Sequence, residues 1–547
     1  MSDDAGTGPA ETDPTSLVAR ARRQGLADLL SRSARRHPDR TAVVDGDRRL
    51  TYAQFDEATS RLATALSARG VERGDRLALL ARNCWEFGAL AFATAGLGVV
   101  LVPVNFMLTA DEVGFILGHS GARHVVVGAD LLPVGAEAVD IAGGEEGVRA
   151  VIPGPAGAGA VPAGWEDLDA LLADGPVDPP EVDVADDEPL RLMYTSGTES
   201  RPKGVMLSSR SLLAQYVSCI VDGGMSADDV ELHSLPMYHC AQLDCFFSVD
   251  VYLGATSVLL PGPDPATVLA TIARERVTKL FCPPTVWISL LRSPEFDRTD
   301  LSSLRKGYYG ASAMPVEVLH ELQRRLPAVE LWNFYGQTEM SPLATILRPH
   351  EQLDRAGSAG VAALNVETRV VDEADRPVPA GEVGEIVHRS PHATLGYYRD
   401  PAKTAETFRN GWFHSGDLGV LTEDGYLSVV DRKKDMIKSG GENVASREVE
   451  EALYQLEGVA EVAVFGISHP HWIEAVTAVV VARPGTGLTA DVEAHARTRL
   501  AGYKRPRYVV LADSLPKNPS GKILKRELRT MHAALAAGDR SSAAAAP

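Results

Sequence analysis

The stretch YTSGTESRPKGVMLSS at residues 194–209 sets hydroxyls, glycines and one lysine between apolar runs. Thr195, Ser196 and Thr198 offer hydroxyls, Gly197 and Gly204 let backbone N–H groups approach an anion, and Lys203 adds a positive charge. That chemistry suits a polyphosphate. It is not the common P-loop, because Gly204 follows Lys203 where that motif needs a magnesium-binding hydroxyl. Taken alone, a Ser/Thr/Gly stretch of this kind is more often just a loop. A second cluster, NFYGQTEM at 333–340, offers the Tyr335 face for stacking on a base, the Asn333 amide for its edge, and Thr338 with Glu339 to bring a carboxylate to Mg2+. The competing reading is a capped turn. A third, WFHSGDLG at 412–419, places Asp417 in a glycine-bounded turn where it can chelate ribose hydroxyls. In the fourth, PKNPSGKILKREL at 516–528, Lys522 follows Ser520 and Gly521 ahead of a basic helix, which would otherwise be a solvated face.

These residues need elements to hold them. Between residues 26 and 264 strand-like runs (76–82, 124–130, 257–262) alternate with helical patterns, which predicts parallel sheets covered by helices. Thr109 caps a helix over 111–117, and the uncharged run 87–104 reads as a buried helix followed by a buried strand, not a membrane span. The phosphate stretch is expected as a strand (190–194), a loop from Thr195 to Gly204, and then a lead into a helix. Beyond about residue 366 short alternating strands give a β-rich subdomain. After the charge-dense DRKKD at 431–435, a helix at 446–456, strands near 462–467 and 475–481, and a helix at 488–500 make a small α+β domain. The expected division is a disordered leader at 1–25, a large domain at 26–430, a hinge at 431–434, a small domain at 435–530 and a tail at 531–547.

With 547 residues, the chain has material for more than one domain. Its formal net charge of -19 disfavours nucleic acid and anionic membranes as general partners, so an anionic substrate needs a local cationic site. Five cysteines without paired spacing indicate no zinc site and a reducing, cytoplasmic setting.

Together and in order, the four clusters resemble those of the adenylate-forming superfamily of acyl-CoA synthetases, 4-coumarate:CoA ligases, luciferase and adenylation domains. The likeness runs from about residue 26 to 528. It implies an α/β fold with a large N-terminal domain and a small mobile C-terminal one, and an enzyme that uses ATP, Mg2+ and CoA with a small-molecule carboxylic acid. By resemblance, Thr195, Ser196, Gly197, Thr198 and Lys203 hold phosphates, and Gly310, Ala311, Asn333 and Tyr335 hold adenine. Asp417 and Arg432 hold ribose, Glu339 with Thr338 nearby takes the metal, and Lys522 bridges carboxylate and phosphate. Lys434 is the implied hinge, with Lys438, Ser439, Gly440 and Gly441 meeting CoA. The loop departs from the family in Glu199 and Ser200 after Thr198, where Thr-Gly is usual.

The acyl pocket implied by the same likeness uses His239, Gln242, Leu243, Tyr309, Gly336 and Met340. His239 can equally be a core histidine. Amino-acid-activating relatives carry an aspartate where His239 stands, which disfavours an amino acid. The expected reaction is CoA ligation of a medium- or long-chain fatty acid or an aryl-alkenoic acid. The alternative is adenylation for another acceptor: a carrier protein, an amine, or nitrite activated for arylamine diazotisation. A homodimer is compatible with the sequence.

Overall fold

The computed structural model describes residue 18 and residues 21–144, 146–154, 161–173, 177, 179–195, 202–312, 314–439, 442–483, 488–518 and 521–536. Ser196, Gly197, Thr198, Gly440, Gly441 and Ser520 of the expected site lie outside the described residues.

Two large sheets build the main body. In the seven-stranded sheet, Arg76–Leu80 and Val100–Pro103 lie side by side and parallel, and the strand Pro189–Thr195 joins next to Val100–Pro103. The outer strand Lys203–Ser208 closes that edge antiparallel. The nine-stranded sheet has a parallel centre of Thr256–Leu259, Val230–His233, Lys279–Phe281, Lys306–Gly310 and Glu330–Tyr335. Helix Trp85–Leu97 shows why the apolar run at 87–104 stays inside. All but one of its residues are buried, and Gly98 at φ +67° stops the helix so that strand Val100–Pro103 can begin. Helix Ala110–Ser120 is capped by Thr109 as expected, with Glu112 returning a bond to the Thr109 N–H (2.9 Å). Among the described residues no helix is long and apolar enough to cross a membrane, and all five cysteines are free thiols.

The β-rich subdomain is a four-stranded antiparallel sheet of Glu367–Val371, Val383–Arg389, Phe413–Leu421 and Leu427–Arg432. The small domain pairs Val459–His469 with Ile473–Ala482, adds Tyr508–Ala512 in parallel, and carries helices Ser446–Tyr454, Thr489–Arg499 and Lys525–His532. Near two of the expected boundaries, Arg23 donates to Val182 O (2.9 Å) and Ala536 is buried in the small-domain core. In both places side-chain packing reaches into segments whose composition resembles linker.

Candidate active site

The phosphate stretch is a hairpin. Strands Pro189–Thr195 and Lys203–Ser208 pair with Tyr194 opposite Gly204 and Thr195 opposite Lys203, which corrects the expectation of a loop through Gly204. Gly204 permits this closure, since a Cβ there would lie 2.8 Å from Leu192 Cδ1. Thr195 and Lys203 therefore face each other where the paired strands end. Ser208 then caps helix Ser209–Gly223.

The adenine candidates sit at the ends of two neighbouring parallel strands, with Tyr309 in register with Asn333 and Gly310 with Phe334. A Cβ on Gly310 would be 2.4 Å from Phe334 O, so the strand ends touch through this glycine, and Ala311 beyond it is left-handed at φ +63°. The Asn333 amide is engaged by Ser358 O (3.1 Å). Tyr335 reaches across to the ribose candidate: its hydroxyl donates to Asp417 Oδ2 (2.8 Å). Gln337 donates to the same oxygen (2.9 Å) and to the Tyr335 hydroxyl (2.9 Å). Burial, and then the Asp417 charge, push the Tyr335 phenol well above its ordinary range, so it remains a donor.

Asp417 lies within strand Phe413–Leu421, not in a turn. Of the two glycines that suggest a turn, Gly419 serves packing, since a Cβ there would meet Ile386 Cδ1 at 2.7 Å. The strand position gives Asp417 a cross-strand partner. Arg432 is directly opposite, its Nε 3.5 Å from Asp417 Oδ1. The carboxylate is thus held from two sides.

Glu339 is half-buried. Its Oε1 accepts from the Tyr397 hydroxyl (2.8 Å), and its Oε2 has no hydrogen-bond partner among the described residues. One hard carboxylate oxygen beside a phosphate cradle is the donor chemistry Mg2+ takes together with substrate phosphates, so these residues fit the ion. Thr338 Oγ1 turns instead to Cys240 Sγ (3.3 Å).

On the acyl side, His239 Nδ1 accepts from the Ala241 N–H (3.2 Å), which leaves the neutral ring protonated on Nε2. Burial, and then the nearby Lys522 charge, bring its pKa down to about 4. Tyr309 is buried and donates to Gln352 Oε1 (2.7 Å), and Met340 is fully buried. Gly336 lets the strand end meet the 342–344 backbone, because a Cβ there would be 2.0 Å from Pro342 O. Two expected pocket residues are taken up elsewhere. Leu243 is in the core with Phe247 and Val251, and Gln242 Nε2 is 2.6 Å from His233 Nδ1. His233 belongs to a fully buried set with Glu231 and Asp250 gathered round the Lys279 ammonium, which is 2.7 Å from Glu231 Oε2 and bonded to Asp250. Asp244 is likewise committed, accepting from the Tyr216 hydroxyl (3.0 Å) beside Arg191.

The small domain brings Lys522 into this site. Its turn is closed by Lys522 N–H to Asn518 Oδ1 (2.8 Å) and docks on the large domain through Thr285 Oγ1, which donates to Gly521 O (3.0 Å). Gly521 is left-handed at φ +79°, and a Cβ there would be 2.6 Å from Thr285 Oγ1 and 2.7 Å from Pro283 Cγ. Arg447 and Glu451 add to the docking: Arg447 Nη2 donates to Gly357 O (3.2 Å), and Glu451 Oε1 accepts from the Val316 N–H (3.3 Å). Burial, with Arg432 and Lys434 adding to it, lowers the Lys522 pKa to about 8 against the opposing pull of Asp417 and Asp435. Lys434 is exposed two residues beyond Arg432. Lys438 and Ser439 stay within the small-domain sheet, where the Lys438 N–H donates to Glu474 Oε2 (2.8 Å) and Ser439 pairs with Glu442.

This constellation has counterparts. The family profile described as "AMP-binding enzyme" matches residues 30–398, and that of the "AMP-binding enzyme C-terminal domain" matches 448–522. The chain belongs to the AMP-binding enzyme family. It is an AMP-forming acid–thiol ligase of the adenylate-forming superfamily. A feruloyl-CoA synthase of Amycolatopsis is 40% identical over 510 residues, covering 93% of this chain and 99% of that one. The long-chain-fatty-acid–CoA ligase FadD13 of Mycobacterium tuberculosis is 36% identical over 491 residues, covering 89% and 94%. The anthranilate CoA ligase AuaEII, solved with anthranoyl-AMP, aligns at a TM-score of 0.87 with 27% identity, over 94% of this chain and 98% of that one.

Several residues of the ligase site are not among those expected from sequence. Gln337 lies inside a recognised cluster and carries a side chain able to bridge. Tyr397, Thr285, Arg447 and Glu451 are remote in sequence from what they touch, and no local pattern marks them.

Proposed function

We propose that this ligase joins a carboxylic acid to CoA through an acyl-AMP intermediate, with an aryl-alkenoic acid or a medium- to long-chain fatty acid as substrate. One observation supports the reading: the turn that carries Lys522 docks on the large domain, where Thr285 Oγ1 donates to Gly521 O (3.0 Å), on the side that holds His239 and Asp417. A cation between the acyl wall and the ribose carboxylate is where two anions, a carboxylate and the α-phosphate, must meet.

In the first step a carboxylate oxygen forms a bond to the α-phosphorus of ATP, and the bond to the bridging oxygen of pyrophosphate breaks with its electron pair. Charge grows on the phosphate oxygens, and fixed donors that face it lower the barrier without reorganising. Thr195, Ser196, Gly197, Thr198 and Lys203 hold the phosphates, Tyr335 backs the adenine, and Asp417 with Arg432 holds the ribose. Lys522 offsets the repulsion between the reacting anions. His239, neutral at pH 7, borders the acid without adding charge. Mg2+, when held at Glu339, supplies charge neutralisation on the triphosphate. In the second step the small domain turns about Lys434, withdraws Lys522 and brings the segment from Lys438 to Gly441 to the adenylate. The thiol sulfur of CoA attacks the acyl carbon, and AMP departs.

The feruloyl-CoA synthase is the more similar of the two relatives, 40% against 36% identical, which supports an aryl-alkenoic acid as the first to try. The test is mass spectrometry of products from ATP, Mg2+, CoA and a panel of hydroxycinnamic and fatty acids. A CoA thioester with AMP is expected. Acyl-AMP without thioester would replace CoA by another acceptor, and absence of pyrophosphate with every acid would overturn the reading.

A further inference from the structure

The segment at 394–398 belongs to none of the four clusters, yet it touches two of them. On one side it pairs with the strand Lys203–Ser208. Met206 N–H donates to Gly396 O (3.1 Å), Leu395 N–H to Met206 O (3.0 Å) and Tyr398 N–H to Gly204 O (2.8 Å). Val205 and Tyr397 form a bridge in the same run. On the other side it grips Glu339 twice: Thr394 N–H donates to Glu339 O (2.8 Å), and the Tyr397 hydroxyl donates to Glu339 Oε1 (2.8 Å).

The strap is itself anchored. Tyr397 N–H donates to Thr404 Oγ1 (2.9 Å), and helix Pro401–Thr407 is capped by Asp400. Gly396 at φ +117° makes the turn into Tyr397, where a Cβ would be 2.7 Å from Thr404 Cγ2. The Tyr397 side chain is buried, and the Lys203 ammonium stands 5.8 Å from its ring centroid. Tyr194, which also borders the cradle, spends its hydroxyl on His119 Nδ1 (2.7 Å) and is not aimed at Glu339.

From this geometry we propose that Tyr397 is a positioning residue: its hydroxyl fixes one oxygen of Glu339, so that the other is presented to the Mg2+ that accompanies ATP, at a spacing from Lys203 set by the 394–398 strap. Tyr397 touches neither ATP nor the acid in this scheme. The inference rests on the ligase reading above, because it assumes a metal–triphosphate substrate. Without the hydroxyl the carboxylate regains rotamer freedom, and each metal–ATP binding event must order it again.

The test is Tyr397→Phe, which keeps the ring and removes only the hydroxyl, compared with wild type, Glu339→Gln and the double variant. Two readouts are taken: calorimetric binding of ATP with and without Mg2+, and Mn2+ paramagnetic resonance in titrations with ATP. Wild type is expected to bind metal–ATP more tightly than ATP alone. Absence of that difference would count against the ligase reading itself. Given that difference, Tyr397→Phe should weaken metal–ATP binding about tenfold, leave metal-free ATP binding unchanged, and add nothing further in the Glu339→Gln background. Equal weakening with and without metal, an additive double variant, or unaltered metal–ATP binding would each overturn the role assigned to Tyr397.

Discussion

Gly521→Ala should separate the two half-reactions, and its size follows from the docking geometry. The new methyl would stand 2.6 Å from Thr285 Oγ1 and 2.7 Å from Pro283 Cγ, both on the large domain. Relieving it displaces Thr285 and breaks the 3.0 Å bond to Gly521 O, worth about 0.5–1.5 kcal/mol. Overpacking at a tight contact costs about 1–3 kcal/mol more. A further about 1–2 kcal/mol arises from placing alanine at φ +79°, but that strain stays with the turn whichever way the small domain faces. The part specific to the docked arrangement is therefore about 1.5–4.5 kcal/mol, a fall of about 13- to 2,000-fold in adenylation. Acid-dependent ATP–pyrophosphate exchange reads the first step, and thioester formation from supplied acyl-AMP and CoA reads the second. Thr285→Val, which loses the bond without the clash, should slow exchange only about 2- to 13-fold. If Gly521→Ala slows both steps alike, or leaves exchange within twofold of wild type, the docking seen here is not the adenylating arrangement.

Three other outcomes are expected. Lys522, with its pKa lowered to about 8, is mostly charged at pH 7 and mostly neutral by pH 9.5, so kcat/KM for ATP in the exchange assay should fall as pH rises through about 8. Thioester formation from supplied adenylate should not share that fall, and a flat exchange profile from pH 7 to 9.5 would refute a cationic role for Lys522. Asp417→Asn should lower kcat/KM for ATP about 13- to 160-fold, the worth of about 1.5–3 kcal/mol for bonds to a charged group, with KM for the acid unmoved; a change confined to the acid would show that Asp417 is not the ribose ligand. Lys279→Met should destabilise the large domain by about 3–5 kcal/mol, since it leaves Asp250 buried without the ammonium that opposes the cost of burial. Denaturant unfolding checks this, and an unshifted midpoint would mean the set tolerates loss of its cation.

What could be read in the sequence was whatever depends on neighbours along the chain. The helix-to-strand switch at Gly98 and the Thr109 cap follow from residue type and spacing, and the structure has both. Local reading failed where a glycine had two uses. Gly416 and Gly419 suggest a turn around Asp417, but Gly419 is small because Ile386 packs on it from the next strand, a contact no local pattern encodes. Likewise the polar run after Thr195 lacks strand alternation, yet its far end pairs because Tyr194 and Gly204 meet across the hairpin. Gln242 is set in the acyl wall by the family likeness of its run, and it turns inward because His233 offers a buried partner. Tyr397 and Glu339 are 58 residues apart, so only the folded chain brings them together.

The pairing of Asp417 with Arg432 has a consequence for timing. The two residues form one rung between adjacent strands, and the chain departs toward the proposed pivot just past Arg432. A sugar gripped by both would stiffen the rung from which the small domain swings, and since the swing comes with the adenylate still bound, the nucleotide would itself supply the fixed base for that turn. Once AMP left, the same rung would be held only by its own ion pair, so the return swing would start from a looser base than the forward one.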